Sequence, residues 1–388
     1  MNILDYIRER GDLSFKADPF NEVDNLVFAQ MIYAGFEKYL GDGQRMTIGE
    51  LGKAYFDDFG EDRDISRIFN KDGVMTLKEA YKSPRYKDLP VYNFVSRLDK
   101  ETTEQFTAVM VDLPDRTTVV CFKGTDEHMI GWKEDCFLSY KDIVGQTYAV
   151  NYINQHCSIF RQYRILGHSK GGNLALYSAL RCNPLLRMRI KDIYSDDGPG
   201  LRPGSFKEKE FDRIKDRYHL IVPEKDGVGT IYEMAKRKTI ARIDTRNIIE
   251  AHSMMRWQIK ANHIQHADGD SYQTDRTRQA LVQFLKDTTP KEREIFTEEV
   301  FKAFDDAKIT TVSELAHGGL PIILKVAKEL SEMDTVAKST AMKLTKAFST
   351  SITSDLYKSM SEKKDAFFNK IPFGKKEEKK DMVEQDQK

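Results

Sequence analysis

Apolar positions along the chain change period near residue 105. Upstream, Val23, Leu26, Val27, Met31 and Ala34 recur at helical spacing, which predicts a helix from about Asn21. The first 20 residues, with Gly11, Asp12 and Asp18-Pro19, read as loop. Residues 44–90 read as short helices joined by polar turns. One turn, Asn70-Lys71-Asp72-Gly73 with Glu79 after it, reads as an Asp-Gly turn. As a calcium loop it would need an oxygen from Ile68.

Beyond residue 105 the β-branched runs 106–111 and 117–122 predict strands, the second continuous and therefore buried on both faces. A helix is expected near 143–160, a strand at 163–166 and a helix from about 171 to 181. Strands at 190–195 and 218–222 flank a charged helix at 207–217. Further strand candidates are 240–243 and 248–249, and a helix at 275–286 closes the core. Strands alternating with helices predict an α/β architecture with a largely parallel sheet. After Thr288-Thr289-Pro290 the periodicity is helical in 291–307, 311–333 and 335–369. The expected organisation is therefore a helical segment over 1–104 and an α/β core over 105–289. A helical appendage over 290–373 and a charged, disordered tail over 374–388 follow.

Composition narrows the function classes. The 388 residues carry 61 basic and 61 acidic side chains, so a general nucleic-acid footprint is not expected. No apolar run reaches the roughly 18–20 residues of a membrane span. The N-terminus does not read as a secretory signal. Cys121, Cys136, Cys157 and Cys182 are scattered, as reduced thiols of a cytoplasmic protein would be.

The chemistry concentrates in Gly167-His168-Ser169-Lys170-Gly171-Gly172. An apolar strand candidate precedes it and a helix-forming run follows. In that context G-x-S-x-G is a nucleophile elbow that exposes the Ser169 hydroxyl. A serine nucleophile needs a base and an orienting carboxylate, in the chain order Ser, acid, His. Asp226, in the loop after strand 218–222, is the leading acid; Asp196, Asp197 and Glu224 are alternatives. His252 is the leading base. His263 and His266 lie in a polar stretch, His219 precedes Asp226, and His317 lies in the appendage. The oxyanion donors are expected to be the N–H groups of Lys170 and Thr125, the latter in the loop after strand 117–122.

Residues 118–126 (TVVCFKGTD), followed by Trp132 and Asp135, resemble the oxyanion motif of class 3 (fungal-type) lipases, with Lys123 where that family has Arg. The Gly167–Gly172 elbow and the stretch 220–228 (LIVPEKDGV) resemble the nucleophile and acid regions of the same family. Glu22-Val23-Asp24-Asn25-Leu26, Asp197-Gly198-Pro199-Gly200 and His252 ahead of Trp257 are similar to a bacterial branch of lipase-like hydrolases. The resemblance covers about 20–287. It implies an α/β-hydrolase fold and ester hydrolysis on a small-molecule or lipid ester, with no metal or organic cofactor. The appendage has no counterpart in it. Its apolar positions Val312, Leu315, Leu320, Ile323, Val326, Ala327 and Leu330 raise three uses: docking on the core, binding a partner, or contact with a membrane surface. A catalytically weak binding or regulatory protein is the rival reading.

Overall fold

The computed structural model describes residues 1–351 except 42, 67, 226, 236–237, 246 and 268–275. The predicted acid Asp226, the tail over 374–388 and the helix expected beyond residue 351 lie outside the described residues.

Eight strands form one sheet in chain order: β1 (Arg45–Thr47), β2 (Pro90–Asp99), β3 (Glu104–Asp112), β4 (Thr117–Phe122), β5 (Gln162–His168), β6 (Ile190–Asp196), β7 (Tyr218–Pro223) and β8 (Lys238–Ala241). The first four pair antiparallel, and β4 to β8 pair parallel. Alternation along β4 sends Val119 and Cys121 to one face of the sheet and Val120 and Phe122 to the other. One face packs on helices α1 (Ile3–Arg10), α2 (Glu22–Met31), α3 (Ile48–Phe59) and α4 (Lys71–Ala80). The other packs on α5 (Met129–Phe137), α6 (Val144–His156) and α7 (Lys170–Arg181). A mostly parallel sheet between two helical layers, with a serine at the β5–α7 turn, is the α/β-hydrolase fold that the sequence implied.

Several local expectations need correction. Residues 3–10 are helical rather than loop. Asn2 accepts from the N–H groups of Leu4 and Asp5, Asp5 returns a bond to the Asn2 N–H, and Ile3, Leu4, Tyr6 and Ile7 are buried. Strands β1 and β2 stand where helices alone were expected. The β2 pattern is broken by a register shift between Tyr92 and Val95, with Asn93 at φ 52°, so alternation fails mid-strand. Ile248–Ala251 is a short helix, α10, not a strand. The charged stretch 207–217 holds only α9 (Glu208–Phe211) and a turn of 3₁₀ helix at Lys215–Arg217; neither turn has a buried side chain, and only Ile214 between them is buried. Between α7 and β6 runs one more short helix, α8 (Pro184–Arg187).

After α11 (Arg276–Asp287) come α12 (Pro290–Asp306), α13 (Val312–His317), α14 (Gly319–Ser331) and α15 (Thr335–Ser351). Phe301, Ala307, Ile309 and Val326 from this region form a small core with Met129 of α5, and Val312, Leu315 and Leu330 pack against it. The main chain joins too: Met129 N–H donates to Thr310 and Val312 N–H donates to Glu127. The appendage therefore docks on the helix that follows β4.

Candidate active site

Ser169 sits between β5 and α7 with φ 58° and ψ −129°, a conformation that non-glycine residues seldom adopt. The turn is forced by crowding. A Cβ on Gly171 would lie 2.2 Å from the Phe122 carbonyl oxygen, so only glycine lets α7 start this close to β4. The Ser169 N–H donates to the Asp196 carbonyl at 2.9 Å, which ties the elbow to the end of β6.

His252 follows α10 and is partly exposed. Its Nδ1 lies 2.6 Å from Asp197 Oδ2, and Asp197 is buried at the end of β6 with φ 50°. The other carboxylate oxygen of Asp197 accepts from the Gly229 N–H at 2.9 Å. Ser169, Asp197 and His252 occur in the chain order Ser, acid, His, which Asp226 also satisfies.

A second histidine is locked beside the first. His168 Nε2 lies 2.8 Å from the His252 carbonyl, which only accepts, so Nε2 carries the proton. In the neutral ring Nδ1 then accepts from the Tyr33 hydroxyl, 3.2 Å away. The Tyr33 oxygen in turn accepts from the Gly124 N–H, and burial raises the pKa of this phenol above its usual value. A Cβ on Gly124 would stand 2.2 Å from the Tyr33 oxygen, so a side chain there would break the chain of bonds. Gly124 thus spends its N–H on Tyr33.

The neighbouring Thr125 is held through its hydroxyl, which donates to Asp135 Oδ2 on α5 at 2.6 Å. Burial pushes the Asp135 carboxyl up to about 6, against the lowering effect of the Lys170 charge and the Thr125 bond. Lys170 itself points away from solvent. Its ammonium meets Glu134 at 2.7 Å, both side chains fully buried, and Glu134 also accepts from the N–H groups of Gln105 and Gly145. Beside them, burial works against ionisation of Asp126, but the charge of Lys123 and the His128 contacts bring its carboxyl down to about 2. The loop after β4 is therefore fixed from three sides.

The family model for Mbeg1-like proteins matches residues 80–302, more than half of the chain and every residue of this site except Tyr33. The chain belongs to the Mbeg1-like family. Three solved chains match; one, described as the crystal structure of M37 lipase, is 16% identical with a TM-score of 0.34, covering 62% of this chain and 83% of that one. No curated protein matches. No described helix is long and apolar enough to cross a membrane.

The structure brings Ser169, Lys170 and the Gly124-Thr125 loop together, and sets a carboxylate on His252. That carboxylate is Asp197, one of the alternative acids in the sequence. The other described candidates are engaged elsewhere. Asp196 is fully buried and accepts from Asn25 at 2.7 Å; burial raises its carboxyl to about 8. Glu224 accepts from the Ile243 N–H, and His219 stacks on Tyr194 and bonds Asp192. His263 lies in a two-stranded ribbon of β9 (Ile259–Lys260) and β10 (His263–Ile264), His266 bridges Ala241, and His317 bonds the Ser313 carbonyl. Tyr33 and the roles of His168 and Glu134 were missed. Tyr33 comes from the 3₁₀ turn Ile32–Ala34 that follows α2, far upstream, and spacing gives no signal for it. The Gly-His-Ser triplet was the only hint toward His168.

Proposed function

We propose that the protein is a serine hydrolase that cleaves a carboxylic ester of a lipid or other apolar acyl group through an acyl-enzyme. The observation that carries this reading is the strained Ser169 elbow together with His252, whose ring lies 4.5 Å from that of the adjacent His168 and whose Nδ1 bonds a buried carboxylate at 2.6 Å. With Nδ1 held by the carboxylate, Nε2 is the nitrogen that takes the Ser169 proton as Oγ attacks the acyl carbonyl. The negative oxygen that develops is met by the N–H groups of Lys170 and Thr125, at the start of α7 and after β4. His252 then returns the proton to the leaving alcohol, which departs. Water, deprotonated by His252, hydrolyses the acyl-enzyme and regenerates Ser169.

Asp197 enters as the acid on its observed contact, and Asp226 on chain order and family resemblance. The Gly229 N–H bond to Asp197 supports a carboxylate fixed in position to orient the imidazole. The test is turnover of a series of p-nitrophenyl acyl esters. Ser169→Ala and His252→Ala are expected to lose at least about a thousandfold in kcat while keeping the fold, as removal of a triad member does. A Ser169→Ala protein with full turnover overturns the reading.

A further inference from the structure

The strands β4 to β7 all begin at the sheet edge opposite Ser169, and that edge has an unusual surface. Phe160 is 89% exposed and Ile159 45%, in the loop that leads into β5. Leu185 is 54% and Met188 68% exposed, on and just after α8, which leads into β6. The two loops are tied together. Arg189 Nε donates to the Arg161 carbonyl, the Tyr163 N–H donates to the Arg189 carbonyl, and the Asn183 N–H donates to Asn154. Large apolar side chains held this far into water on anchored loops are not core residues that failed to pack.

Their surroundings are cationic. Arg187, Arg189 and Arg217 direct guanidinium N–H groups at main-chain carbonyls, which holds them in place without pairing them with a carboxylate. The Arg217 pKa is lowered, first by burial and then by the charge of Arg187, against the smaller raising effects of Cys182, Asp192 and Asp216. Exposed Lys191 and Arg213 extend the same edge. Protruding apolar tips among cations that outnumber the nearby carboxylates of Asp192 and Asp216 fit a surface that is negative outside and apolar beneath.

We propose that this edge docks the protein on a bilayer containing anionic lipid, with Phe160 and Met188 entering the headgroup–acyl boundary and the arginines facing lipid phosphates. A convex pair of loop tips suits insertion into a deformable layer better than a rigid partner's groove. The seven residues of β5 span roughly 20 Å between this edge and the elbow. Docked in this way, Ser169 faces away from the bilayer, so the acyl substrate reaches it from the aqueous side. This placement does not depend on whether Ser169 is active.

The experiment is co-sedimentation of the full chain with vesicles of phosphatidylcholine alone or mixed with phosphatidylglycerol. The wild type is expected to pellet with the mixed vesicles, less so as salt rises, and not with phosphatidylcholine alone. Phe160→Asp with Met188→Asp, and separately Lys191→Glu with Arg213→Glu, are each expected to weaken binding about tenfold or more with unchanged thermal melting. A wild type that stays in the supernatant overturns the proposal. So do variants that pellet like the wild type, since another surface then binds. A wild-type dimer in solution that Phe160→Asp splits would instead assign this edge to a second copy of the chain.

Discussion

At the scale of single residues, the acid is the sharpest question. Asp197→Asn keeps the shape of the side chain but cannot hold the imidazolium charge, so kcat should fall at least about a hundredfold with KM little changed. Steady-state kinetics beside Asp226→Asn checks this. A fully active Asp197→Asn with an inactive Asp226→Asn would move the acid to Asp226. Next to Asp197, Asp196 makes a prediction about stability. Its folded carboxyl is raised by burial from 3.8 to about 8, so the folded protein holds this proton more tightly than the unfolded chain. The contribution is complete below pH 3.8 and is lost as pH rises through about 8. Asp196→Asn should therefore flatten the alkaline decline in denaturation midpoint between pH 5 and pH 8. A decline as steep as in the wild type would show that another group is responsible.

At the scale of elements, the elbow stands on the Lys170–Glu134 pair between α7 and α5. Glu134→Ala strands a buried ammonium and two main-chain N–H groups, and should cost about 3–5 kcal/mol in chemical denaturation. An unchanged midpoint would mean that water or a shifted partner replaces the carboxylate. Much of this element scaffold was legible in the sequence. The runs 117–122 and 163–166, and the helix after Gly171, each show one dominant period. The legible part stops where one element is not self-contained. Strand β2 changes register mid-way, so its alternation is hidden, and α1 is short and polar on one side, visible chiefly through its Asn2–Asp5 cap. Ser169 and His252 could be singled out because motif and chain order constrain them. Asp197 could not be separated from Asp196 or Glu224, because the choice depends on which strand end faces His252. Tyr33 meets Gly124 only through packing of α2 on the sheet.

At the scale of the whole molecule, the appendage meets the site through α5. The residues expected to serve docking, a partner or a membrane include Val326 and Ala327, which are buried, and Val312, Leu315 and Leu330, which pack against the Met129 cluster. Met129 begins the helix that carries Asp135, the acceptor of the Thr125 hydroxyl. Phe301→Ala should cost about 3 kcal/mol of stability and, by loosening α5, lower kcat more than it raises KM. An unchanged kcat in a destabilised variant would show that the appendage and the oxyanion loop are uncoupled.

The central claim is that Ser169 is an activated nucleophile. Its most direct test is labelling with a fluorophosphonate probe, followed by peptide mass mapping, on the wild type, Ser169→Ala and His252→Ala. One adduct is expected, on the peptide containing Ser169, in the wild type and none in either variant. A folded wild type that takes up no probe, or an adduct that persists in Ser169→Ala, would contradict it.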